Sequence, residues 1–200
     1  MDSDEKVAYT FEQWVEVVFI RQEPPSFGVL WDEELERPAD WLLVYATRLF
    51  YESEYLLNTF TDDQLRHGFW SLPIGWDLTG RIWDQAVPWE LRESCLSAMV
   101  VLFKRFFALN TLGDTCFMWW DFFRTFDEEA DKRVSAAMFT ALSEILEMEE
   151  EHCQMAALHG LGHLDHTEKA ALIKKYLDAQ PDRLLEIREY AQACIKGDIL

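Results

Sequence analysis

Residues 152–164 read His-Cys-Gln-Met-Ala-Ala-Leu-His-Gly-Leu-Gly-His-Leu, and no other part of the chain limits the fold so strongly. Ala156, Ala157, Gly160 and Gly162 give the stretch a narrow profile, while Met155, Leu158 and Leu161 recur at i, i+3 and i+6. Glycine inside a helix costs roughly 0.5–1 kcal/mol relative to alanine, so each one needs a compensating reason, and close approach of a neighbouring backbone is the usual one. The stretch therefore reads as a packing helix with another helix on either side. Two glycines so near each other also predict that this helix is ending. Asp165, with Glu168 three residues on, then supplies a capping box for the next helix, and the two form a hairpin.

The rest of the chain carries helix signals of the same kind. Thr10 and Gln13 make a capping box for a helix to about Arg21, with Phe11, Trp14, Val15, Val18 and Phe19 as its apolar stripe. Pro24 and Pro25 stop it, and Gln22 to Arg37 reads as an ordered loop. Pro38 suits a first helical turn, and Trp41 to Leu57 follows as one long helix. Thr61 and Gln64 form another capping box, for a helix reaching about Trp70 before Pro73, Gly75 and Gly80 break the pattern. Pro88 opens a helix with Leu91, Cys95, Leu96, Met99, Val100, Phe103 and Phe107 inside, ended by Asn110 and Gly113. Asp114 or Thr115 caps an aromatic run, Phe117-Met118-Trp119-Trp120-Asp121-Phe122-Phe123, whose side chains cannot all face one way. The acidic residues Asp127 to Asp131 then favour the N-terminal dipole of a helix with the stripe Val134, Met138, Leu142 and Ile145. A helix containing Leu172, Ile173, Tyr176 and Leu177 ends at Pro181, and a last one runs from about Asp182 to Lys196 with Gly197 as its stop.

Helices of similar length joined by short turns predict an all-α chain, a single domain over residues 1–200 built as an α-superhelical stack of helix hairpins. Residues 1–126 form an irregular helical part, and residues 127–200 hold the clearest hairpins. Cys153 to Gly162, with its Ala-Leu-His-Gly-Leu-Gly core, resembles the first helix of a HEAT-like repeat. Together with Thr61-Asp62-Asp63-Gln64 and Phe117-Met118-Trp119-Trp120-Asp121, the run Ala157 to His163 also resembles an uncharacterised bacterial family of helical proteins. That resemblance covers roughly the last two thirds of the chain. It implies a fold and a bacterial source, and no activity.

Composition narrows the partners. With 37 acidic and 18 basic side chains, the 200 residues carry a formal charge of −19, which disfavours nucleic acid and anionic membranes and fits a basic protein partner. No apolar run is long enough to span a bilayer, and the first residues are acidic where a signal peptide is basic and then apolar. Cys95, Cys116, Cys153 and Cys194 lie far apart in apolar or helical contexts, as reduced thiols of a cytoplasmic protein do.

Chemistry is sparse. His159 and His163 stand at i, i+4 and share a helix face, with His152, Cys153 and His166 nearby in sequence. No Cys-x-x-Cys knuckle accompanies them, so no metal and no cofactor is assigned; His159 reads rather as a packed, hydrogen-bonded core histidine, with His163 and His166 at a helix end. Glu149 and His152 give half of a di-iron signature whose second half is missing. No nucleophile elbow, phosphate loop or dinucleotide fingerprint occurs, and no residue is assigned as catalytic. The leading expectation is a non-enzymatic protein-interaction module, monomeric or homodimeric, that neutralises or scaffolds a basic protein in the manner of an immunity protein. The alternative is an enzyme, or a small-ligand or metal-binding protein, whose pocket is made by Trp119, Trp120, Asp121, His159 and His163. That alternative requires the aromatic run and the histidine stretch to converge.

Overall fold

Side-chain caps form at three helix starts among the described residues, at Thr10, Thr61 and Asp131. The computed structural model describes residues 10–20, 40–125, 127, 130–181 and 184–199, and among them the regular structure is entirely helical. Helix α1 (Phe11–Ile20) opens at Thr10, whose hydroxyl accepts from the Gln13 amide while the Gln13 side chain accepts from the Thr10 amide. Its five stripe residues are all buried. Helix α2 (Trp41–Tyr51) is shorter than the sequence suggests: the chain breaks at Glu52, makes a 3-10 turn over Ser53–Tyr55 and resumes as the short α3 (Leu56–Thr59). Helix α4 (Asp62–Ile74) has the complete Thr61–Gln64 capping box and runs past Trp70, with Pro73 in its last turn. The expected loop 22–37 and Pro38 lie outside the described residues.

Helix α5 (Leu78–Trp83) leads to α6 (Trp89–Leu102), which starts directly after Pro88 and passes into a π-helical turn, Phe103–Phe107. The wider turn seats Phe103, Phe106 and Phe107 in one core with Phe69, Trp119 and Phe123. Aromatic pairs of this kind contribute about 0.5–1.5 kcal/mol each beyond the area they bury. Helix α7 (Thr115–Met118) continues into a 3-10 segment, Trp119–Phe123. Helix α8 (Lys132–Leu146) is capped by Asp131, whose carboxylate accepts from the Arg133 amide and also pairs with the buried Arg92 of α6 at 3.1 Å. The stripe Val134, Met138, Leu142 and Ile145 is buried as its spacing predicts.

Helix α9 (Glu151–His163) is the hub, packed against α7, α8, the Trp119–Phe123 segment and α11 (Leu185–Lys196), which itself packs on α10 (Lys169–Ala179). Its small residues have the role expected of them. A Cβ on Gly160 would lie 2.7 Å from Leu142 of α8 and 2.8 Å from Trp120 Cβ, so two elements approach α9 at this point. The helix ends directly after its paired glycines, at His163, as they predict. The Asp165–Glu168 capping box is absent, because α10 begins only at Lys169 and the Glu168 amide donates to the His166 ring instead. Among the described residues no helix is long and apolar enough to cross a membrane.

Candidate functional site

The close approach at Gly160 decides what stands beside α9. His159 and His163 lie one turn apart, on either side of Gly160 in sequence, and the 3-10 segment is seated there through Trp120. With three residues per turn, successive side chains of a 3-10 segment point in different directions. Trp119 goes into the aromatic core against Phe50, Phe69 and Phe107. Trp120 packs on Phe103 and Phe123. Asp121 turns toward α9.

There the Asp121 Oδ1 atom lies 3.0 Å from His159 Nε2 and 3.3 Å from His163 Nε2. All three side chains are largely out of solvent, with relative exposures of 16% for Asp121, 1% for His159 and 7% for His163. Despite the short distances, Asp121 Oδ1 and both Nε2 atoms have no aligned hydrogen-bond partner among the described residues. The other ring nitrogen of His159, Nδ1, is 2.6 Å from the Tyr190 hydroxyl of α11, and the Phe117 ring lies 4.3 Å from the His159 ring, centroid to centroid. His163 meets His159 edge to face at 4.7 Å.

Electrostatics sets the charge of the cluster. Burial alone would raise the Asp121 carboxyl, but the nearby His159, and then the His163 and Arg124 charges, bring it below the ordinary carboxylate value. Burial lowers His163, against the opposing pull of Asp121 and with help from the Arg124 charge. Burial likewise raises the Tyr190 phenol, aided by the Cys194 thiol one turn away, so it stays protonated and available for hydrogen bonding. The result at neutral pH is a carboxylate facing an unprotonated His163 imidazole.

His163 also forms part of the wall of a cleft of about 550 Å³, between the Trp119–Phe123 segment, α8 and the end of α9. Trp83, Trp120, Arg124, Lys132 and His166 line it as well. Of the residues singled out from the sequence, Asp121, His159 and His163 come together, Trp120 is buried at the edge of the cleft, and Trp119 faces the core. His152 is elsewhere, 2.8 Å from the Phe107 carbonyl, and His166 stacks on Phe139 at 3.9 Å. Cys153 is buried away from the cluster's ligand atoms, as a free thiol. Sequence reasoning did not pick Tyr190, Phe117 or Arg124 for the site. Tyr190 stands 31 residues from His159 in sequence, and no local pattern connects the two.

Chemically, the arrangement offers a buried anion and two imidazole nitrogens directed at a common point beside an open cleft. It can anchor the polar end of a small molecule, move a proton, or hold a cation. Among the described residues, Asp121, His159 and His163 form the group of acidic, histidine or cysteine side chains whose ligand atoms come close enough to share one ion. No protein-family model, curated protein or solved structure matches the chain.

Proposed function

We propose that this chain is a small-ligand-binding helical protein whose site is the cleft beside α9, anchored by Asp121, His159 and His163. The observation that carries the reading is the convergence of these three largely buried groups directly behind the cleft, whose wall His163 forms in part, with donor and acceptor atoms left unaligned to one another. Buried polar atoms without partners cost about 1–3 kcal/mol each, and such a cost is commonly retained where a ligand relieves it. Trp83 supplies apolar surface, and Arg124 and Lys132 supply cationic groups in a strongly acidic chain.

Native mass spectrometry of the untagged protein from its own cells tests this. The wild type is expected to carry a bound species at near one equivalent, and Asp121→Asn or His163→Gln to lose it. A wild type with no bound species, or variants that retain it fully, would overturn the reading.

A second reading is favoured by the formal charge of −19: the acidic surface of a HEAT-like stack steering a basic protein partner in a bacterial cytoplasm. Its signature is a stoichiometric complex that dissociates as salt rises. Recovery of no partner at low salt counts against it.

A further inference from the structure

Resting on that reading of the cluster as the working site, we infer that Asp121, His159 and His163 bind a divalent first-row transition-metal ion. Donor atoms that share such an ion at about 2.1 Å sit about 3.0 Å apart at a right angle and about 3.4 Å apart at the tetrahedral angle. The two edges from Asp121 Oδ1, 3.0 and 3.3 Å, match these values. All three atoms lie within 4.8 Å of one another, so the remaining edge between the imidazoles closes by a small ring movement.

The hydrogen bonding points the same way. Either Tyr190 O–H donates to His159 Nδ1, or Nδ1–H donates to the Tyr190 oxygen. In the first case Nε2–H faces Asp121 without an aligned acceptor; in the second the Nε2 lone pair faces a carboxylate oxygen. A cation between them resolves both. It selects the second arrangement, in which the ligating histidine donates its other N–H to a fixed partner, as metal-bound histidines do.

Two imidazoles and one carboxylate are a nitrogen and oxygen set suited to zinc, iron(II), cobalt(II) or nickel(II), and unsuited to magnesium or calcium, which prefer oxygen alone. Three protein donors leave coordination positions open, and His163 belongs to both the cluster and the cleft wall. A metal ion here would therefore present its open side to a cleft ligand.

The test uses untagged protein stripped with chelator and titrated with zinc(II) by calorimetry and with cobalt(II) by visible absorption. The expected result is one equivalent bound, with intense cobalt bands of nitrogen and oxygen ligation. Asp121→Asn and His163→Gln, each checked for native helicity, should weaken binding at least tenfold, while His67→Gln on α4 leaves it unchanged. No binding by the wild type, or equal binding by the folded cluster variants, overturns the inference. That failure is distinct from failure of the small-ligand reading: an organic species seen by native mass spectrometry, with no metal bound in titration, would leave the cleft as a site and the cluster as its hydrogen-bonding anchor.

Discussion

Replacing Gly160 with alanine should destabilise the protein, against the usual gain from removing a helical glycine. Helix propensity alone favours the substitution by about 0.8–1 kcal/mol. The added methyl, however, would stand 2.7 Å from Leu142 Cδ2, 2.8 Å from Trp120 Cβ and 2.9 Å from Trp120 Cγ. Leu142 can move its terminal methyl, but Trp120 Cβ sits next to the backbone and its ring is locked in the core between Phe103 and Phe123. Overpacking of this kind costs about 1–3 kcal/mol, and a clash with a fixed atom belongs at the upper end. The net effect is a loss of about 2 kcal/mol, or about 4–8 °C in Tm for a chain of this size. Gly162→Ala is the internal control. Its methyl would meet chiefly the end of the Ile199 side chain, which can turn aside, so its stability should stay within about 0.5 kcal/mol of wild type. Thermal melts followed by circular dichroism measure both. A Gly160→Ala variant as stable as wild type, or more stable, would refute the claim that close approach of the 3-10 segment explains this glycine.

Three further outcomes are expected. Free zinc(II) at a hundred times its Kd should stabilise the protein by about 2.7 kcal/mol, raising Tm by about 5–11 °C, and the rise should vanish in Asp121→Asn. Tyr190→Phe should weaken zinc binding by about 10–100-fold without changing its stoichiometry, because it removes the group that fixes the His159 ring; an unchanged affinity in calorimetry would remove Tyr190 from the account. Asp131 is held at about 2 by its hydrogen bonds with Arg133, against the burial that would raise it, and with further help from Arg92. A carboxyl lowered on folding stabilises fully above its unfolded value and loses that contribution as pH falls through the folded one. Between about pH 4 and pH 2 the wild-type Tm should therefore fall more steeply than that of Asp131→Asn; parallel curves would contradict the pairing.

How much of this could be read from the sequence depended on how local the deciding interaction was. Thr10 with Gln13 and Thr61 with Gln64 satisfy each other's backbones within one turn, and both capping boxes form. The apolar stripes of α1 and α8 were legible for the same reason. Asp165 and Glu168 have the same pattern but no such bonds, because α9 runs on to His163 and α10 starts at Lys169. Gly160 reads from the sequence as a point of close approach, and only the fold supplies the neighbours, Leu142 and Trp120. The break after α2 had no glycine or proline to announce it.

The site was legible in its residue types and not in its assembly. His159 and His163 carried their own signal in i, i+4 spacing. Asp121 lies before α8, and its meeting with them depends on how the Trp119–Phe123 segment packs onto α9. Trp119 and Asp121 are two residues apart yet diverge, one into the core and one to the histidines, because a 3-10 turn spreads them. Tyr190, on α11, is brought in only by the packing of that helix on α9.

The most direct test of the central claim is an anomalous diffraction measurement on crystals of the untagged protein soaked in zinc(II), collected above and below the zinc edge. The account predicts one strong peak within about 2.0–2.2 Å of Asp121 Oδ1, His159 Nε2 and His163 Nε2. A well-occupied structure with no peak between those three atoms, and Asp121 directly hydrogen-bonded to the two rings, would contradict it.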